Sequence, residues 1–184
     1  MLGRMKALAS ALALATALSA GAAQAACPAQ DLSASKDPLY ALLKDSQTEP
    51  EGQALASELW DLYVIAPDDK AQDLLDRGVR YLERGQFDTA ETLLDDLVSY
   101  CPDYAEGWNQ RAFARFLQRD YDGALADIDR TLELEPRHFG ALAGRGLTFL
   151  QQGRQLLAQQ AIRQGLKVHP WLRERRFLPD DEET

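Results

Sequence analysis

Few residues in this chain could do chemistry, and their spacing argues against catalysis and metal binding. There are two histidines, His138 and His169, and two cysteines, Cys27 and Cys101. Neither histidine has a Cys, Asp or Glu at the short spacings that hold a metal ion. No Ser, Cys or Lys stands in a nucleophile motif. His138 falls between two helical stretches and reads as the cap of the second. The acid pairs Asp68-Asp69 and Asp95-Asp96 are consecutive, so on a helix their side chains diverge into solvent. Gly140, Gly144 and Gly146 follow no strand and cannot open a phosphate-cradling loop. No catalytic residue, cofactor site or metal site is expected. The recurring chemical group is the guanidinium: Arg77, Arg111 and Arg145 stand at one interval. They could form an anion ladder, but a guanidinium lodged inside a helix pair demands a carboxylate partner. Asp127 is placed to hold Arg111, so a structural ion pair is expected there.

The interval of those arginines belongs to the whole chain. Residues 71–104, 105–138 and 139–172 fall into one repeating frame of about 34 residues. In that frame Leu74, Trp108 and Leu142 coincide, as do Gly78, Ala112 and Gly146, then Ala90, Ala124 and Ala158, and finally Pro102, Pro136 and Pro170. Each unit predicts two helices, the first near 71–84, 105–118 and 139–152, the second near 87–100, 121–134 and 155–168. Gly85-Gln86, Arg119-Asp120 and Gly153-Arg154 mark the turns within units. The Gly78/Ala112/Gly146 column is expected to face the Ala90/Ala124/Ala158 column, since small residues on both helices let the backbones approach. The prolines lack an N–H and end each second helix.

The flanks read differently. Arg4 and Lys6 precede an apolar run, Ala7 to Ala20, and Ala23-Gln24-Ala25 supplies a small-x-small cleavage pattern, so 1–25 reads as a cleaved secretory signal. The run falls short of the roughly 20 residues a membrane helix needs, and no later stretch is long enough. The expected location is periplasmic. Residues 26–36 show no apolar period and read as a flexible leader. Residues 37–66 predict a helical hairpin opened by Asp37 as cap and Pro38 in the first turn. It reads as an atypical first unit covering the otherwise exposed face of the array. Residues 173–184 are a short cap and acidic tail. With Trp171, Leu172, Phe177 and Leu178 as its only apolar cover, that end is a candidate contact surface, through which self-association is open. Cys27 and Cys101 could pair in an oxidising compartment. A free or lipidated Cys27 stays open too, although Gln24 stands where a lipoprotein signal wants an aliphatic residue. A net charge of −9 argues against nucleic acid as a general ligand. Residues 137–177 reverse the charge, with Glu174 as their one acid.

Across 71–172 the pattern resembles the tetratricopeptide repeat family. The middle unit carries Trp108, Ala112, Tyr121, Ala124, Leu125, Ile128 and Pro136 at the signature positions. Departures fall at Leu94, Leu97 and Gly165. A signal, a helical hairpin and three repeats running into RHFGALAGRGL also look like small tetratricopeptide proteins of Gram-negative envelopes. The resemblance implies an all-α, right-handed superhelical array (an α-solenoid) whose first helices build a concave wall that holds a peptide or partner segment. Members that clamp a C-terminal carboxylate use Lys, Asn and Arg on that wall. The matching positions here are Leu75, Val79, Gln110, Gly140 and Gly144, with no cation, so that activity is rejected. The wall offers instead Leu75, Val79, Leu82, Phe113, Phe116, Leu147 and Leu150, the amides Asn109 and Gln110, and the small Gly140, Ala143 and Gly144. The expected function is a non-catalytic adaptor or scaffold holding a protein or peptide partner in an apolar groove. The alternative is a chaperone-like assembly factor for exposed apolar segments of several clients.

Overall fold

The computed structural model describes residues 27–179; the signal-like stretch and the acids Asp180 to Glu183 lie outside them. Eight α-helices and one 3-10 turn make up the described residues. The repeats supply α3 (Asp69–Glu83), α4 (Phe87–Tyr100), α5 (Ala105–Leu117), α6 (Tyr121–Leu134), α7 (Phe139–Gln151) and α8 (Gln155–Leu166). Each packs on its partner within the unit, and α4 and α6 then pack on the first helix of the next unit. The first helices α3, α5 and α7 also touch in succession, which makes them one wall. The fold is an all-α solenoid.

Sequence explains the joints. Gly85, Arg119 and Gly153 occupy the same turn position in successive units, with φ of 72°, 66° and 71°. A left-handed backbone is free for glycine and costs other residues roughly 1 kcal/mol. Arg119 is exposed there, so nothing in its packing compensates. Arg119→Gly should therefore stabilise the protein by about 1 kcal/mol, read as a raised urea midpoint at unchanged slope; a lower midpoint would contradict this account of the turn.

The small-residue columns approach as expected in the third repeat, where a Cβ on Gly146 would lie 3.5 Å from the Ala158 carbonyl, but the tightest contact is one turn further on. A Cβ on Gly78 would lie 2.9 Å from Leu94, and one on Gly146 would lie 2.7 Å from Ile162. Each glycine thus makes room for the residue four positions past the alanine column, one helical turn on. Ala90, Ala124 and Ala158 are fully buried beside that contact.

The N-terminal hairpin departs most from expectation. Its first helix, α1, runs Ser33–Asp45 with Leu32 as cap, so Asp37 and Pro38 lie inside it. Leader residues 27–32 are tied down, because Cys27 forms a disulfide with Cys101 (Cα–Cα 5.1 Å). The second helix, α2 (Glu49–Tyr63), starts with the Thr48 side chain accepting from the Glu51 N–H. The hairpin's Tyr40, Leu43, Ala56, Leu59 and Tyr63 are buried in one cluster with Phe139, Ala143 and Leu172. It therefore covers the third repeat, and only its end, Val64 and Ala66, packs against the core of the first. Along its length α2 meets each inter-repeat turn. Tyr104 Oη donates to the Tyr63 carbonyl at 2.8 Å, Tyr63 stacks on His138 with centroids 4.0 Å apart, and Gln53 donates to the Trp171 carbonyl at 3.0 Å. Trp171 in turn donates to Ser46 Oγ at 3.0 Å. The C-terminal end expected as an open contact surface is covered by this strap, with Leu172 buried beneath it. Ion pairs Lys36–Glu135, Arg137–Asp37 and Arg175–Glu49 fasten its rim.

Candidate functional site

Three polar clusters decide what this molecule can do chemically. The first is the Arg111–Asp127 pair. Arg111 Nε and Nη2 donate to the two Asp127 oxygens at 2.9 and 2.7 Å, and Nη1 donates to Asp95 at 2.8 Å. Arg115, which the sequence reading did not single out, donates to Asp127 at 3.0 Å and to Glu91 at 2.8 Å. The cluster joins α4 of one repeat to α5 and α6 of the next. Burial pulls the Arg111 guanidinium towards the neutral form, and Asp127 and Asp95 outweigh it, holding its pKa above the ordinary value. The other two arginines of the column have plainer partners: Arg77 bonds exposed Asp73, and Arg145 bonds Asp129. All three guanidinium groups are spent on carboxylates, which leaves no anion ladder.

The second cluster is His138 with Glu106. His138 is wholly buried, and its Nδ1 accepts from the Ala141 N–H at 3.1 Å, capping α7. An accepting Nδ1 makes Nε2 the N–H, and it points at Glu106 Oε2 at 2.8 Å. Glu106, 1% exposed, also accepts from Gln110 at 2.5 Å and from Asn109 at 3.2 and 3.3 Å. Both ring nitrogens are committed, so His138 is no general base. Sequence reading missed Glu106 because its partner lies almost one repeat away and no local spacing signals the contact. Burial raises the phenols of Tyr40 and Tyr63 above their ordinary pKa, so both stay neutral as their hydroxyls meet at 2.5 Å.

His169 is the third group. Packed edge-on against Phe139, it has a buried Nδ1 with no hydrogen-bond partner. Burial first, then the Arg175 charge, lowers its pKa to about 4, which keeps it neutral at pH 7.

Between α5 and α7 lies an open cleft of about 350 Å³. Eight of the groove residues expected from sequence line it: Asn109, Gln110, Phe113, Phe116, Gly140, Ala143, Gly144 and Leu147. Trp60 of the strap forms one end, and Ala112, Ile128, Thr148 and Glu174 complete the lining. A Cβ on Gly140 would come 2.7 Å from the Trp60 ring, so that glycine seats the strap. Phe113 is 49% exposed, a large apolar side chain left facing water. The rest of the expected wall is elsewhere. Leu75 and Leu82 are buried with Leu94, Leu97 and Ala114, and Val79 packs against the same core. Leu150 is half-buried and outside the lining. Repeat one thus has its share of the wall buried against α4 and α5. The amides are also less free than expected, since each turns an N–H towards Glu106.

A solenoid of paired helices with a cleft on its inner wall defines a helical repeat protein. The tetratricopeptide repeat family matches residues 75–133 and 111–170, and the chain belongs to it. Among its relatives, a TPR repeat-containing protein of Rhizobium etli is 31% identical over 137 residues, covering 73% of this chain and 66% of that protein. Mouse tetratricopeptide repeat protein 36 is 38% identical over 42% of this chain, and a lipoprotein NlpI homolog of Haemophilus influenzae is 29% identical over 65% of it. The chain spans only 40% and 41% of those two proteins' lengths. The first TPR domain of Spaghetti (RPAP3), solved with the HSP90 peptide SRMEEVD, superposes with a TM-score of 0.56 over 58% of this chain and 85% of that one, at 21% identity.

Proposed function

We propose that this protein is a non-catalytic interaction module of the bacterial envelope, an adaptor or scaffold that holds a segment of another protein in the α5–α7 cleft. The observation that carries the reading is the half-exposed Phe113 in an apolar cleft whose floor is left open at Gly144. Exposed apolar area flanked by amides suits a peptide, which brings both side chains and backbone groups. The export features of residues 1–25 and the Cys27–Cys101 bridge support an oxidising, periplasmic site of action. No helix among the described residues is long and apolar enough to cross a membrane. The peptide held by the Spaghetti domain is acidic. This cleft has no cation in its lining, so a different class of segment suits it.

Cross-linking in intact cells followed by mass spectrometry tests the reading. One stoichiometric protein cross-linked near Phe113 is the expected result. A spread of unfolded clients would favour the chaperone-like alternative. Phe113→Asp should weaken capture by about 2 kcal/mol, roughly 30-fold, with melting unchanged because the side chain is half in water. If the variant captures the same proteins equally well, the cleft is not the binding site.

A further inference from the structure

The cleft carries a charge signature of its own. Glu174, on the 3-10 turn Arg173–Phe177, is the only ionisable side chain in its lining. Among the described residues Glu174 makes no ion pair, whereas its neighbour Arg175 is held by Glu49. Arg173 and Arg176 are exposed and do not line the cleft. The two amides add to the bias. Asn109 and Gln110 each give an N–H to Glu106, and their carbonyl oxygens are left without a partner among the described residues. The cleft therefore combines an apolar floor with a carboxylate and two amide acceptors, and it offers no cation.

From this, and resting on the reading of the cleft as a peptide site, we propose that its occupant is an apolar segment bearing a lysine or arginine, whose cation sits on Glu174. A like-charged acidic segment would meet an unpaired carboxylate, with no cation in the lining to offset it. That argues against the chain's own acidic end, Asp180 to Glu183, as the occupant. It also makes this cleft opposite in sign to one that would take an acidic peptide. Glu174 lies outside the three repeats, on the 3-10 turn after α8, so the repeat pattern does not supply this charge.

Selection of a displayed random dodecapeptide library on the purified, oxidised full-length mature chain tests the proposal. Sequences enriched on the wild type should carry Lys or Arg next to aromatic or aliphatic residues. The best of them should bind Glu174→Lys at least about 10-fold more weakly by fluorescence anisotropy. On that variant, selection should turn to Asp and Glu. Circular dichroism melts of the variant, expected to match the wild type, keep misfolding out of the comparison. Wild-type selection without cation enrichment, or an unchanged preference on Glu174→Lys, overturns the charge proposal while leaving the groove intact. Failure to select any peptide, or binding that survives Phe113→Asp, overturns the groove reading and the proposal together. A dimer that dissociates on Phe113→Asp would give the cleft to a second copy. Removal of residues 180–184 that tightens peptide binding about 10-fold would give it to the tail. Either result overturns the proposal.

Discussion

Reducing the Cys27–Cys101 disulfide should lower the melting temperature by about 10 °C. The bridge spans a sequence separation of 74, and closing a loop of that size in the unfolded chain stabilises the native state by about 4 kcal/mol. The loop contains α1, α2, α3 and α4, so the unfolded state loses freedom over the whole strap and the first repeat. Cys27→Ser is the cleaner substitution, because Cys27 is half-buried whereas Cys101 is 1% exposed and a serine there would bury a hydroxyl. The variant should melt like the reduced wild type and be insensitive to reductant. Equal melting of oxidised and reduced wild type, with reduction verified by mass, would show that the bridge adds nothing to stability. Because the leader runs from Cys27 directly into α1, loss of the bridge should also speed deuterium uptake in α1 ahead of α5 and α6.

Asp127→Ala should cost about 3 kcal/mol, close to the effect of losing the disulfide. The side chain of Asp127 is 3% exposed and receives three hydrogen bonds from two arginines. Truncation strands part of each guanidinium between α4, α5 and α6, and Asp95 and Glu91 can satisfy only what they already hold. Glu91 is itself tightly used: burial pushes its carboxyl up, but Arg115 and Gln118 hold its pKa below the ordinary range. Asp127→Asn keeps the shape and loses the charge, and should fall between wild type and alanine in a urea titration. If Arg111→Ala leaves the midpoint unchanged yet abolishes partner binding, the arginine acts on a ligand and the structural account fails. A fully additive Arg111→Ala/Asp127→Ala double variant would likewise show that the two do not act as a pair.

How far the candidate site was legible depended on the range of each contact. Phe113, Phe116, Gly140, Ala143, Gly144 and Leu147 were readable because helical period and repeat register together assign a residue to the inner wall. The same rule put Leu75 and Leu82 there, and they are buried. Register says which side of a helix a residue takes, but not whether a neighbouring helix then closes over it. Trp60 and Glu174, which frame the cleft, come from outside the repeats, so no periodicity could place them. Glu106, in the first turn of α5, is the buried acceptor for His138, Asn109 and Gln110, and no local spacing marks it as such.

What the amino-acid order determined unaided was the solenoid: helix boundaries, turn positions and the contact between Gly146 and its partner helix depend on neighbours within a few dozen residues, and those recur three times. Only the tertiary structure decided where the N-terminal hairpin goes. Its apolar period marked a face to be buried and did not name the surface that covers it. The choice was made by contacts with no local signal: Tyr63 on His138, Gly52 under Trp171 and Cys27 on Cys101. Burial of apolar surface is non-directional, so an amphipathic stretch announces that it will be covered while its partner depends on which surface offers the matching shape.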